Sequence, residues 1–201
     1  MFANLTLARG SNILFANDFS NCNQLQVNYL TEEEKKAIIQ AHNEYRQKVA
    51  NGEETRGNPG PQPAGNIPPL EWDDELATIA QVWADQCQNG HSACDDTTRF
   101  TVNQNIAFSS KSNEYEKDVP GMFNQWTDEA SNFDSSRVND MPNQSKPKIV
   151  HYTQLVWADT QYVGCGLVKY RDPSNDWYNT RLICNYGPGG NVFGQPLYPT
   201  N

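Results

Sequence analysis

Two segments near the C-terminal end constrain this chain more than any others: His151 to Tyr170 (HYTQLVWADTQYVGCGLVKY) and Leu182 to Asn191 (LICNYGPGGN). Each is dense in β-branched and aromatic residues, which suit a pleated surface, and each carries one cysteine, Cys165 or Cys184. Neighbouring strands bring such cysteines within disulfide reach, so the two segments read as a stapled strand pair. The first segment opens with His151, directly ahead of a strand-like run over Tyr152–Trp157. A histidine held at the start of so stiff a strand can act as a ligand or a base.

The other cysteines are Cys22, Cys87 and Cys94, and none of the five stands in a Cys-x-x-Cys pair. Zinc-finger and thioredoxin-like readings are therefore weak, and two disulfides with one thiol left over suit a secreted domain. Beside Cys165–Cys184, Cys22 pairs with either Cys87 or Cys94, and the residues alone leave that choice open. Two glycosylation sequons, at Asn4 and Asn143, add modest weight to a secretory route. The N-terminal stretch is a poor leader, because Asn4, Arg9, Ser11 and Asn12 break its apolar residues. Either a leader has been removed or the start is atypical.

A length of 201 residues suits one domain with a full core. The net charge of −9 argues against a nucleic-acid partner and against anionic membrane surfaces, since it offers nothing to replace phosphate counterions. No apolar run approaches the roughly 20 residues of a transmembrane segment.

Residues 1–28 are polar and aperiodic and read as an N-terminal arm, with a single domain over 29–201. Thr31 and Glu34 form a capping box that starts a helix, Ile38, Ile39, His42, Tyr45 and Val49 line one face, and Asn51-Gly52 stops it. Arg56 to Pro69 holds five Pro and three Gly and must be a surface loop. Asp73 or Asp74 caps a second helix with Leu76, Ile79, Ala80, Trp83 and Cys87 on one face. A strand piece is expected around Gln104–Phe108, and a third helix over about Val119 to Asn132 with Met122, Phe123, Trp126, Ala130 and Phe133 inward. Strands follow near Tyr152–Trp157, Gly164–Tyr170 and Arg181–Asn185. Helices first and strands later give an α+β class.

Four motifs sharpen this. His42-Asn43-Glu44-Tyr45-Arg46, Gln104-Asn105-Ile106-Ala107, His151 to Trp157 and Cys184-Asn185-Tyr186-Gly187-Pro188 resemble, in order, the four signatures of the CAP superfamily. That superfamily includes cysteine-rich secretory proteins, antigen 5 and plant pathogenesis-related proteins. The Pro-rich loop and Ala80 to Cys87 look more narrowly like insect antigen 5, the venom and salivary allergens. The resemblance implies an αβα sandwich with a central, mainly antiparallel sheet between helical layers, and it favours Cys22–Cys87 alongside Cys165–Cys184. In antigen 5 relatives the position of Cys94 pairs with a cysteine of an N-terminal arm; here that arm holds only Cys22, so Cys94 is expected as a free thiol.

The resemblance also carries over a cleft of two histidines and two acids, which falls on His91, Gln104, Glu129 and His151. Two neutral imidazoles across a cleft can bind Zn²⁺ or another divalent metal, and a carboxylate beside them can orient a metal-bound water. Gln104 stands where many relatives have Glu, and an amide is a poor zinc ligand and no base. The plain reading is a buried polar network, with weak, non-catalytic metal binding beside it and no cofactor required. His42 reads as a core hydrogen bond between helix and sheet. Cys94 lies three residues after His91, but Asp95 and Asp96 oppose a thiolate, so nucleophilic catalysis is set aside.

The expected protein is thus a secreted, extracellular, non-enzymatic CAP domain of the antigen 5 type and a monomer. It binds a small hydrophobic ligand such as a fatty acid or sterol, or an extracellular protein partner, and antibodies where it acts as an allergen. The alternative is a metal-dependent hydrolase using His91, Glu129 and His151.

Overall fold

The computed structural model describes residues 22–26, 29–143 and 149–201. Helix α1 (Glu32–Ala50) starts where the capping box predicts: the Glu34 amide donates to Thr31 Oγ1 at 3.1 Å, and the Thr31 amide donates to Glu34 Oε2 at 2.8 Å. Ile38, His42, Tyr45, Arg46 and Val49 form its buried face. Helix α2 (Asp74–Ala84) is capped by Asp73, whose side chain accepts from the Leu76 amide, and it buries Leu76, Ala80 and Ala84.

One sheet runs through the centre. Its strands are β1 (Asn23–Gln26), β2 (Glu71–Trp72), β3 (Asn103–Lys111), β4 (Tyr162–Arg171) and β5 (Tyr178–Gly187). The order is β1-β4-β5-β3, all antiparallel, while the two-residue β2 pairs β4 in parallel. Helix α2 lies on one face, over Val168, Tyr170 and Ile183. The other face buries Leu167, Leu182 and Tyr186 in the main core with α1 and the helical turns described below. The result is an αβα sandwich. Residues 22–26, assigned to the arm from sequence, are instead built into the sheet, where β1 pairs β4 at one edge and Cys22 is bonded to Cys87 just past α2.

Cys165 and Cys184 face each other in the β4–β5 register, their Cα atoms 4.1 Å apart, and form the second disulfide. Gly164 and Gly166 allow α2 to sit directly on β4. A Cβ on Gly166 would stand 2.4 Å from the Gln81 amide nitrogen, and one on Gly164 would stand 2.2 Å from that of Ala77. The close approach lets the Gln81 amide bridge the β4 backbone, donating to the Leu167 carbonyl at 2.8 Å and accepting from its N–H at 2.9 Å.

Two expected elements differ. The third helix is three short pieces in series, a 3₁₀ turn Pro120–Phe123, α3 (Asn124–Thr127) and a second 3₁₀ turn Asp128–Asn132. Asn, Thr, Asp and Ser are weak helix formers and neither α3 nor the second 3₁₀ turn has a side-chain cap, but the predicted inward set of Met122, Phe123, Trp126, Ala130 and Phe133 is buried throughout. The larger correction concerns Tyr152–Trp157, which is no strand. Val150–Leu155 is a helix, α4, and His151 lies in its first turn. Its composition favours a strand, but charged side chains from elsewhere satisfy both of its ends, and tertiary contacts override propensity.

Candidate functional site

Helix α4 carries His151 and is held from behind by Glu129. The carboxylate accepts the His151 amide at 2.9 Å and the Tyr152 amide at 3.3 Å through Oε2, and binds His151 Nδ1 through Oε1 at 2.8 Å. These amides have no partner within so short a helix, and a carboxylate at its positive end satisfies both. A carboxylate only accepts, so Nδ1 carries the hydrogen and Nε2 is the nitrogen left free. The carbonyl of His151 also accepts from Asn105 Nδ2 at 3.1 Å, tying the turn to β3.

His91 comes from the exposed loop that follows α2. Its Nδ1 lies 3.1 Å from Gln104 Oε1, an oxygen that also takes the Ser92 amide at 3.4 Å. Gln104, buried at the start of β3, donates its amide nitrogen to Asn185 Oδ1 at 2.9 Å and to Asp95 Oδ2 at 3.2 Å. Gln104 therefore joins the loop to the sheet as a donor and an acceptor at once, a part that Glu could not play. His91 likewise presents Nε2. Between the loop and α4 lies a cleft of about 340 Å³ walled by His91, Asp95, Gln104, Asn105, Val150 and His151.

The expected quartet is thus split. His91, Gln104 and His151 line the cleft, whereas Glu129 lies behind His151, with both oxygens committed to α4. Among the described residues, no three His, Cys, Asp or Glu side chains converge as a metal-binding group. The carboxylate that does border the cleft is Asp95, which the sequence linked only to Cys94. Its Oδ1 is out of solvent with no hydrogen-bond partner, and burial lifts its carboxyl above the usual range despite the lowering influence of Ser92 and His91. The one sequence signal for it was its place four residues after His91.

The remaining predicted residues lie apart from the cleft chemistry. His42 is buried, with Nδ1 donating to the Ile38 carbonyl at 2.8 Å and Nε2 accepting from the Tyr186 hydroxyl at 2.9 Å, the helix-to-sheet bond expected of it. Burial pushes its imidazole down to about 4. Cys94 is exposed and free, while the other four cysteines are paired. Asn143 is exposed; its sequon runs outside the described residues, as does Asn4.

A family profile described as the cysteine-rich secretory protein family, CAP, matches residues 39–186. The chain belongs to this CAP family. Among curated relatives, it is 47% identical over 184 residues to a venom allergen 5 of Vespula pensylvanica, covering 90% of this chain and 88% of that one. Among solved structures it superposes on BmVAL-1 with a TM-score of 0.74 at 24% identity, covering 86% of this chain and 84% of that one. NaASP2, solved with Zn²⁺, gives a TM-score of 0.70 at 25% identity, covering 86% and 88%. This is a CAP protein of the venom allergen 5 type, and no described helix is long and apolar enough to cross a membrane.

Proposed function

We propose that this CAP protein is secreted and acts outside the cell by binding rather than by catalysis, with the His91–His151 cleft as its binding site. The observation that carries this reading is the position of Glu129. Both its oxygens are engaged in holding α4 and the His151 ring, so it is not free to orient an attacking water or take a proton in the cleft. Gln104 supplies no charge in its place. Secretion is supported by the venom allergen relatives and by the two disulfides, which suit an oxidising compartment.

NaASP2 carries Zn²⁺ in its solved form. Among the described residues the cleft offers two imidazole nitrogens and no converging third ligand, which does not fit a metal centre of three protein ligands. Any Zn²⁺ held by His91 and His151 alone would be weakly bound. A fatty acid or sterol between helices and sheet has less support than a ligand in the cleft. Met122, Phe123 and Trp126, which could have lined a channel, are at most 5% exposed and packed into the core.

The test is an amide-resolved NMR titration of the isotope-labelled protein with a mixture of small polar aromatic fragments. Perturbations are expected to gather at residues 91–105, 150–151 and 191–193; a map confined to other surfaces overturns the site. Ester and peptide hydrolysis, with Zn²⁺ present, should be the same for the native protein and the His91→Ala/His151→Ala double variant. Turnover that disappears with the histidines overturns the non-enzymatic reading.

A further inference from the structure

We infer that the cleft takes an organic cation: a primary ammonium group on an aromatic or branched apolar body. This rests on the cleft being the binding site and names the ligand class for it.

The Asp95 carboxylate accepts from Gln104 through Oδ2 and has the Ser92 hydroxyl beside it as a second donor, while Oδ1 is shielded and makes no hydrogen bond of its own among the described residues. A shielded carboxylate oxygen without a partner is destabilising, and since it can only accept, what it lacks is a donor. A cationic donor makes the stronger bond. Asp95 is half-buried on its loop and lines the cleft beside Gln104. An ammonium carries three donors and no acceptor. The free Nε2 atoms of His91 and His151 are acceptors on the opposing walls, given the Nδ1 partners that each ring already has.

The lip of the cleft is apolar. Val150 and Phe193, which line it, are 38% and 57% exposed. Asn191 Nδ2 donates to the Val150 carbonyl at 2.8 Å, so the two segments form one continuous lip. The phenyl ring of Phe193 suits an aromatic body by offset stacking, or a cation over its face. Exposed Asp96 and a net charge of −9 add an attractive field for cations. A fatty acid would set its carboxylate against Asp95, and a sterol would leave Gln104, Asn105 and the histidines facing apolar surface.

Three probes of one shape and different charge test this on the full chain at pH 7.5 by calorimetry: 2-phenylethylamine, 2-phenylethanol and 3-phenylpropionate. The amine is expected to bind about tenfold or more tighter than the alcohol, with the carboxylate weakest. Asp95→Asn should weaken the amine by about tenfold and leave the alcohol unchanged, while Phe193→Ala weakens both. An unchanged melting temperature and near-UV spectrum show that each variant is folded. Equal affinity for amine and alcohol, preference for the carboxylate, or an amine affinity indifferent to Asp95→Asn each overturns the inference. If none of the three binds while the fragment map still falls on the cleft, the cation inference fails and the binding-site reading stands.

Discussion

Arg46 and Glu129 hold opposite ends of the same six-residue helix. Glu129 takes the first amides of α4, and Arg46 donates to the carbonyls of Leu155 and Trp157 at 2.7 and 2.9 Å as the helix ends. Arg46 also donates to Pro68 and Thr160, so its buried guanidinium is satisfied by four carbonyls. An anion at the positive end and a cation at the negative end both complement the helix dipole.

Removing either end should be costly. Arg46→Ala strands three buried carbonyls and the half-buried one of Pro68, and is expected to lower stability by about 3 kcal/mol or more, read from urea unfolding. Glu129→Gln should cost about 1–2 kcal/mol, since an amide oxygen still accepts but carries no charge. Nitrogen NMR of the imidazole should show the hydrogen of His151 fixed on Nδ1 in the native protein and shared between nitrogens in Glu129→Gln. An identical tautomer in both would show that Glu129 does not set the ring.

His42 predicts a pH dependence. Its folded value is depressed to about 4 against about 6.5 in the unfolded chain, so below pH 6.5 the unfolded state binds the additional proton. Its contribution is complete above pH 6.5 and is lost as pH falls toward 4, by about 3 kcal/mol across that window. Glu54 acts in a lower window. Burial pushes its carboxyl up, but hydrogen bonds from Arg56, Lys48 and Tyr45 outweigh this and hold it at about 2, so its contribution fades between pH 4.5 and 2. Unfolding of His42→Gln between pH 7 and 4.5 should lack the slope seen in the native protein, and equal slopes would refute the assignment.

Gly166→Ala should destabilise by about 2–3 kcal/mol, because the new Cβ meets helix backbone rather than a movable side chain. The loss should appear in thermal or urea unfolding with both disulfides intact by mass. A neutral substitution would mean that α2 can lift from β4 without cost.

Thiol titration without reductant should find one reactive group per chain, and the same number after denaturation, because Cys94 is exposed and the other four cysteines are bonded. A count of zero in the native protein would place Cys94 in a bond between chains.

The sequence was most legible where local chemistry and tertiary contacts agree. The Thr31–Glu34 box placed α1, the Asp73-Asp74 pair placed the start of α2 with Asp73 proving the cap, and the cysteines of two β-rich segments placed the β4–β5 staple. Helix α4 was illegible because what makes it helical lies 22 residues before His151, at Glu129, and on another helix, at Arg46. Likewise, Gln104 marked the loss of an acid, but only the loop geometry shows Asp95 bordering the cleft. In each case the deciding contact is long-range, and no residue pattern encodes which loop returns to which sheet.

The two walls of the cleft are built to different standards. The His151 wall is anchored in the buried framework, where a change of residue threatens folding itself. The His91–Asp95 wall is a surface loop joined to the sheet through Gln104, and substitutions there disturb little else. Ligand preference at the proposed cleft can therefore diverge by editing one jaw while the other stays fixed.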